Sequence, residues 1–136
     1  MKGQIVLLSH GNLCQGMKDT VEMIIGKQER LHALSLYSDS GISEFSEKLD
    51  EFVKKNADSE IIFVTDLFGG SVNNTVVERY VDLPKVKILT GMNLPLVIEL
   101  IMGEEMEEQN IEQAIMVGQK NIMKMNGIVL MNDGDE

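Results

Sequence analysis

Two titratable side chains follow two continuous apolar segments of the sequence. The apolar run 5–8 ends just before His10, and the run 61–64 ends just before Asp66. A carboxylate that accepts a hydrogen bond from one ring nitrogen of a histidine fixes the tautomer and leaves the other nitrogen with a free lone pair. That nitrogen is a nucleophile, and the carboxylate stabilises the positive charge that develops on the ring as it attacks a phosphorus atom. The pair therefore predicts nucleophilic chemistry at His10, with Asp66 as the orienting acid.

A glycine-containing turn follows each of these two residues. Backbone N–H groups in such turns and at the start of a helix attract anions, and the helix dipole adds to the effect. The turn after Asp66 leads directly into a segment with helical periodicity, so a phosphoryl group would fit there. The predicted phosphate-binding residues are Gly11, Gly69, Gly70 and Ser71.

The residues of this predicted site must be positioned by strands that alternate with helices. Apolar runs predict strands at 5–8, 31–37, 61–64 and 86–89 and a short final strand at 128–131, with helical periodicity between them. This alternation predicts an α/β fold, an open doubly wound and mainly parallel sheet with helices on both faces. The order expected for such a sheet is 2-1-3-4, which places the switch between strands one and three. In such sheets chemistry occurs beyond the carboxyl ends of the strands where the order reverses, which brings His10 and Asp66 to one crevice.

Capping residues predict where the helices begin and end. Gly26 is expected to end the first helix, Ser43 or a near neighbour to cap the second, Ser71 to cap the third, Asn93 with Pro95 to open the fourth, and Asn110 to cap a last helix that runs through Ile122.

Composition excludes several classes of protein. The chain has 136 residues and a net charge of −10, which argues against nucleic-acid binding because phosphate backbones are bound by clustered Lys and Arg. Its apolar runs are too short to span a bilayer, and its start lacks a secretory signal, so we expect a cytoplasmic protein with no direct membrane insertion. The expected organisation is one domain over residues 1–132, followed by an acidic tail over 133–136.

Three motifs carry a resemblance to a known family. They are Ser9-His10-Gly11 after the first strand, Asp66-x-x-Gly69-Gly70-Ser71 after the third, and Thr90-Gly91-Met92-Asn93-Leu94-Pro95 after the fourth. In this order and spacing the chain resembles, over nearly its whole length, the enzyme IIA domains of mannose-family sugar phosphotransferase systems (PTS). The residues themselves do not indicate which sugar is transported.

The resemblance implies a role for each matched residue. His10 would receive a phosphoryl group from the histidine-containing phosphocarrier protein and pass it to a histidine of the enzyme IIB component. Asp66 matches the acid that orients the histidine, and Ser9 and Asn93 lie in the matched motifs as supporting residues. No cofactor or metal is implied, and membrane permease components would be reached only indirectly.

The family also implies an assembly. Its members form homodimers in which the C-terminal strand, here 128–131, exchanges between subunits. No IIB domain follows residue 136, so the acceptor is expected to be a separate polypeptide.

The sequence departs from the family pattern at three positions and leaves alternatives open. Val72 stands where the family often has proline, Ser9 where it often has threonine and Leu96 where it often has methionine, and none of these changes removes a reacting group. The alternatives are a non-catalytic module of flavodoxin-like architecture that binds a nucleotide or a partner, the related phosphocarrier of dihydroxyacetone kinase, and a metal site formed by His10, Cys14 and Asp66.

Overall fold

A computed structural model describes residues 3–103 and 106–128 of the chain. In this part, strands and helices alternate from the start. The strands are β1 (Gln4–His10), β2 (Leu31–Leu36), β3 (Ile61–Thr65) and β4 (Val86–Thr90), and the helices are α1 (Leu13–Ile25), α2 (Ile42–Lys55), α3 (Ser71–Tyr80), α4 (Leu94–Met102) and α5 (Glu108–Lys120), with a short 3₁₀ turn at Asp39–Gly41.

The four strands form one parallel sheet in the order β2-β1-β3-β4. The order predicted from the sequence is confirmed. The chain reverses its direction of strand addition between β1 and β3, so the carboxyl ends of these two strands flank the crevice at which doubly wound sheets place their sites.

Helices cover both faces of the sheet, as predicted, and each face has its own apolar core. Successive side chains of a strand point to opposite faces, and in β1 Ile5 and Leu7 pack under α1, α4 and α5, while Val6 and Leu8 pack under α2 and α3. All four are 3% exposed or less. Burial of each such side chain contributes about 1.5–3 kcal/mol, and this fixes the register that carries His10 to the end of β1.

Two predicted helix caps are wrong, one by one residue and the other by three. The N-cap of α3 is Gly70, and Ser71 is the first helical residue. The N-cap of α2 is Gly41, a near neighbour of Ser43. The capping residue precedes the helix with non-helical backbone, and these glycines take that position because the turn before each helix is tight.

The last helix also differs from its prediction. Glu107 has extended backbone and caps α5, while the N–H of Asn110 already bonds to the carbonyl of Glu107 inside the first turn. The helix ends at Lys120, so Ile122 lies beyond it and is 78% exposed.

The predicted start of α4 is confirmed. Asn93 caps the helix through its side chain, and Pro95 lies in the first turn, where its missing N–H has no partner to lose. The predicted final strand extends past residue 128, and its remainder, like the acidic tail, lies outside the described residues. In the described ranges, no helix has both the length and the apolar character needed to cross a membrane.

Candidate functional site

The carboxyl ends of β1 and β3 bring His10 and Asp66 together. Leu8 of β1 is in register with Thr65, the last residue of β3, so the residues that follow on the two strands leave the sheet side by side. His10 is the final residue of β1 and Asp66 is the first residue after β3. The predicted pair is therefore formed in the structure.

Hydrogen bonds hold the imidazole of His10 in one orientation. Asp66 Oδ2 lies 2.8 Å from His10 Nδ1 and also accepts the backbone N–H of His10 at 2.9 Å. The other carboxylate oxygen accepts the N–H of Leu67 at 3.0 Å. Because an ionised carboxylate only accepts, the proton lies on Nδ1 and the lone pair lies on Nε2.

The environment of Asp66 keeps the carboxylate ionised. Burial alone would raise its pKa, but hydrogen bonds from the backbone and ring of His10, the charge of that ring and the N–H of Leu67 outweigh it and hold the pKa below the ordinary value of 3.8. The side chain of Asp66 is only 6% exposed, whereas that of His10 is 42% exposed. The arrangement presents a nucleophilic nitrogen to solvent and hides the acid that orients it.

The start of α3 packs against the same imidazole. A Cβ on Gly70 would lie 3.0 Å from His10 Cε1 and 3.7 Å from Nε2, so only glycine permits this approach without a shift. Gly69 has φ +81°, a conformation that favours glycine. No side chain caps α3, so its first N–H groups have no capping partner. The predicted phosphate-binding turn, with Ser71 as its first helical residue, thus lies beside the free nitrogen.

Ser9 fixes the other loop of the site. Its buried hydroxyl accepts the N–H of Cys14 at 2.8 Å and donates to the carbonyl of Gly11 at 3.2 Å. Gly11 has φ +59°, which allows the chain to turn sharply after His10. Ser9 therefore supports the loop and does not present its hydroxyl to a ligand.

Asn93, the other predicted supporting residue, is engaged elsewhere. Its amide oxygen accepts the N–H of Leu96 at 3.0 Å, and its amide nitrogen donates to the carbonyl of Gly118 at 2.9 Å. These bonds join the start of α4 to α5.

Cys14 does not join the predicted pair. Its side chain is fully buried, and its sulfur lies 3.3 Å from the hydroxyl of Ser35 in β2. Among the described residues there is no cluster of three or more His, Cys, Asp or Glu side chains that could hold a metal ion. The metal site considered from the sequence, His10 with Cys14 and Asp66, is not formed.

Two polar residues near the site, Thr65 and Asn73, were missed at the level of sequence, and Thr90 was named only as part of the third motif. Thr65 Oγ1 lies 2.9 Å from Asn73 Oδ1 and 2.8 Å from Thr90 Oγ1. Asn73 carried a signal that could have been used, because it lies three residues before the buried Val76 and so falls on the apolar face of α3. A polar side chain on such a face requires a buried partner.

Two apolar side chains next to Asp66 were also missed. Leu67 is 51% exposed and Phe68 is 83% exposed. They leave apolar surface exposed directly after the acid that orients His10.

The fold and the site define a doubly wound α/β protein with an oriented, exposed histidine at its switch point. A profile of the family described as "PTS system fructose IIA component" matches residues 4–117. The chain belongs to this family, the mannose-type IIA components of sugar phosphotransferase systems.

Individual relatives agree with this assignment. The PTS system sorbose-specific EIIA component of Lacticaseibacillus casei is 25% identical over 100 residues, which are 74% of this chain and 72% of that protein. The fructose-specific EIIA component of Bacillus subtilis is 26% identical over 102 residues, covering 74% and 70%. The crystal structure of a PTS IIA protein associated with the fucose utilization operon of Streptococcus pneumoniae is 34% identical, covers 93% of this chain and 97% of that one, and superposes with a TM-score of 0.82.

Proposed function

We propose that this chain is a cytoplasmic phosphocarrier that accepts a phosphoryl group on Nε2 of His10. The donor is the phosphorylated histidine-containing phosphocarrier protein, and the acceptor is a histidine of an enzyme IIB component. The observation that carries this proposal is the 2.8 Å contact between His10 Nδ1 and Asp66 Oδ2, since it leaves Nε2 as the exposed nucleophile.

The transfer exchanges one N–P bond for another. The lone pair of Nε2 attacks the phosphorus, the N–P bond of the donor breaks, and its electron pair returns to the donor's ring nitrogen. Asp66 keeps its hydrogen bond to Nδ1 throughout and offsets the positive charge that the imidazole acquires. The N–H groups at the start of α3 offset the negative charge of the phosphoryl oxygens. The same steps in reverse pass the group to enzyme IIB.

Incubation with phosphoenolpyruvate, enzyme I and the phosphocarrier protein tests the proposal. We expect one acid-labile phosphoryl group per chain, measured by intact-mass spectrometry. An unchanged mass, with a known IIA protein phosphorylated in the same mixture, would contradict the proposed function.

The exposed apolar residues around His10 form the docking surface for these partners. Leu67 and Phe68 follow Asp66 in the chain, while Leu13 at the start of α1 and Tyr37 after β2 are 53% and 72% exposed at the same end of the sheet. An aromatic side chain at the centre of an interface contributes most to affinity when it is desolvated.

Phe68→Ala is expected to raise the KM for the phosphorylated donor about tenfold, which corresponds to about 1.4 kcal/mol of lost contact energy. The turnover at saturating donor should change little, because the ring is exposed and supplies no group to the hydrogen bonds that orient His10. Stopped-flow or quench kinetics over a range of donor concentrations would measure both constants.

Met23→Ala is the matched control, because Met23 is 85% exposed near the end of α1, away from the site. Equal KM values for the Phe68 and Met23 variants would exclude Phe68 from the docking surface.

A second copy of the chain is the remaining partner that we propose. β4 is an edge of the described sheet, and a groove of about 280 Å³ runs beside it, lined in part by Ile88, Leu96, Ile115 and the exposed Ile122. An unprotected apolar edge favours pairing with another chain. Analytical ultracentrifugation of the wild type should give the mass of two chains. The dissociation constant of the dimer should be larger for Ile122→Ser. A monomer at every concentration would contradict the dimer.

A further inference from the structure

The buried polar side chains of the described residues lie close to His10. Ser9, Thr65 and Asn73 are 0%, 0% and 6% exposed, and no buried side-chain nitrogen or oxygen in these residues lacks a hydrogen-bond partner. Ser9 precedes His10, Thr65 precedes Asp66, and Asn73 lies in the first turn of α3. Burial of polar groups costs free energy that their hydrogen bonds only partly return, so their concentration here calls for a role.

Thr65 is the central member of a group of three side chains that are joined by hydrogen bonds. Its hydroxyl lies 2.9 Å from the amide oxygen of Asn73 and 2.8 Å from the hydroxyl of Thr90. The hydroxyl of Thr65 is the donor in these contacts and also lies 3.4 Å from the carbonyl oxygen of Leu89, so its single proton is shared among three acceptors. These contacts join β3 to β4 on one side and to α3 on the other.

The backbone of Thr65 strengthens the same link. Its carbonyl oxygen accepts the N–H of Met92 at 3.2 Å, which joins the turn after β4 to the end of β3. The end of β3 is therefore held by both the backbone and the side chain of one residue, directly before Asp66.

Asn73, at the α3 end of this group, sets the position of the first turn of α3 next to His10. Asn73 is the third residue of α3, and the N–H of Asn74 bonds to the carbonyl of Gly70 at 2.9 Å, so the first turn moves as a unit. Gly70 is also the residue that approaches the imidazole, with its Cβ position 3.0 Å from Cε1 and 3.7 Å from Nε2. A shift of Asn73 would move Gly70 and the first N–H groups of α3 away from Nε2.

We propose that Thr90, Thr65 and Asn73 form a positioning relay that holds the first turn of α3 against His10, so that its N–H groups face the phosphoryl group. The inference rests on the proposed phosphoryl transfer at His10. None of the three side chains touches the reacting nitrogen, so they are positioning residues and not catalytic ones. Asp66 sets the tautomer of His10, whereas the relay sets the place of the anion-binding turn.

The test compares Thr65→Val, which removes the hydroxyl at nearly constant shape, with Thr65→Ser, which keeps it. Thr65→Val should lower the kcat for phosphoryl uptake about tenfold, in line with other residues that orient a reacting group indirectly. The KM for the donor should stay within about twofold, because the docking side chains are unchanged. Thr65→Ser should restore most of the rate, and Thr90→Val, at an exposed position, should show a smaller loss of the same kind.

Thr75→Val is the matched control. Thr75 lies on α3 and its hydroxyl bonds only to the carbonyl of Ser71 at 2.8 Å among the bonds described, outside the relay. This variant should transfer at the wild-type rate.

Nuclear magnetic resonance separates the relay from a general loss of structure. The ring ¹⁵N shifts of His10 should show the same tautomer in wild type and Thr65→Val, because Asp66 is untouched. The amide shifts of Ser71 and Val72 on phosphorylation should be large in wild type and reduced in Thr65→Val. Wild-type kcat in both valine variants, or equal amide shifts, would overturn the relay.

The two proposals fail in different ways. If the wild-type chain takes up no phosphoryl group, the proposed function fails, and the relay is then judged in the unphosphorylated protein. There the ring current of His10 should shift the α-protons of Gly70 in wild type and less so in Thr65→Val. An identical shift in both proteins would overturn the relay on its own.

Discussion

His10→Ala should take up no phosphoryl group from the phosphorylated donor, a loss of all measurable transfer. The imidazole is the only described side chain at the switch point that combines an exposed lone pair with a buried acid to stabilise its charge. Alanine removes the atom that forms the N–P bond, so no residual rate remains from the neighbouring N–H groups. Intact-mass spectrometry after incubation with the phosphorylated donor measures the uptake.

The second histidine supplies the control. The sequence contains two histidines, and His32 Nε2 lies 2.7 Å from Gln4 Oε1, with its ring edge-on to Phe52 at 4.9 Å between centroids. Burial and the nearby Lys18 lower the pKa of His32, which keeps the ring neutral at neutral pH. His32→Gln should therefore retain one phosphoryl group per chain.

The chemical lability of the product identifies the acceptor atom. A phosphoryl group on a histidine is lost in acid and survives in base, whereas one on a serine survives in acid and is eliminated in base. Ser71 is an exposed hydroxyl beside the site, so it is the competing acceptor to exclude. An acid-stable group that persists in His10→Ala and disappears in Ser71→Ala would assign the chemistry to Ser71 and contradict the role of His10.

The sheet and the pair of His10 and Asp66 could be predicted because both depend on residue types that can be read directly from the sequence. The runs at 5–8 and 61–64 are apolar at every position, which favours strands covered on both faces. With the strand order 2-1-3-4, His10 and Asp66 leave adjacent strands. The details of this pair were beyond the sequence, since the bond from the backbone of His10 to Asp66 depends on the exact twist of two strand ends.

The helix starts and the relay could not be predicted for a physical reason. Ser71 and Asn110 have good capping side chains, but the caps are Gly70 and Glu107, because the connection from the preceding element decides where the backbone turns helical. Thr65 and Thr90 are ordinary strand residues taken one at a time. Their partnership appears only when β3 and β4 are placed in register, Thr65 opposite Thr90.

Replacement of Asp66 should give the second-largest loss of transfer, and two variants separate its two roles. Asp66→Ala removes the bond to Nδ1 and the negative charge together, so the ring of His10 can rotate and take either tautomer. We expect the rate constant for phosphoryl uptake to fall on the order of 10³-fold. Asp66→Asn keeps an oxygen that can face His10, so it should preserve the tautomer while losing the charge, and the rate should fall about 10- to 100-fold.

The geometry explains why the asparagine oxygen should face His10. Asp66 Oδ2 accepts two N–H groups of His10, whereas Oδ1 accepts one from Leu67. An amide nitrogen directed at His10 would meet two donors, but one directed at Leu67 meets a single donor. The orientation with oxygen towards His10 therefore loses fewer hydrogen bonds, and the ring ¹⁵N shifts of His10 in Asp66→Asn should match those of the wild type.

Asp58→Asn is the control for net charge, since Asp58 is exposed and precedes β3 at the opposite end of the sheet. It should transfer at the wild-type rate. If Asp66→Asn and Asp66→Ala slow uptake equally while the tautomer survives in the first, the charge of Asp66 accounts for its whole contribution and its orienting role is refuted. If both variants transfer at the wild-type rate, Nε2 needs no oriented partner, and the buried carboxylate is present for the stability of the loop alone.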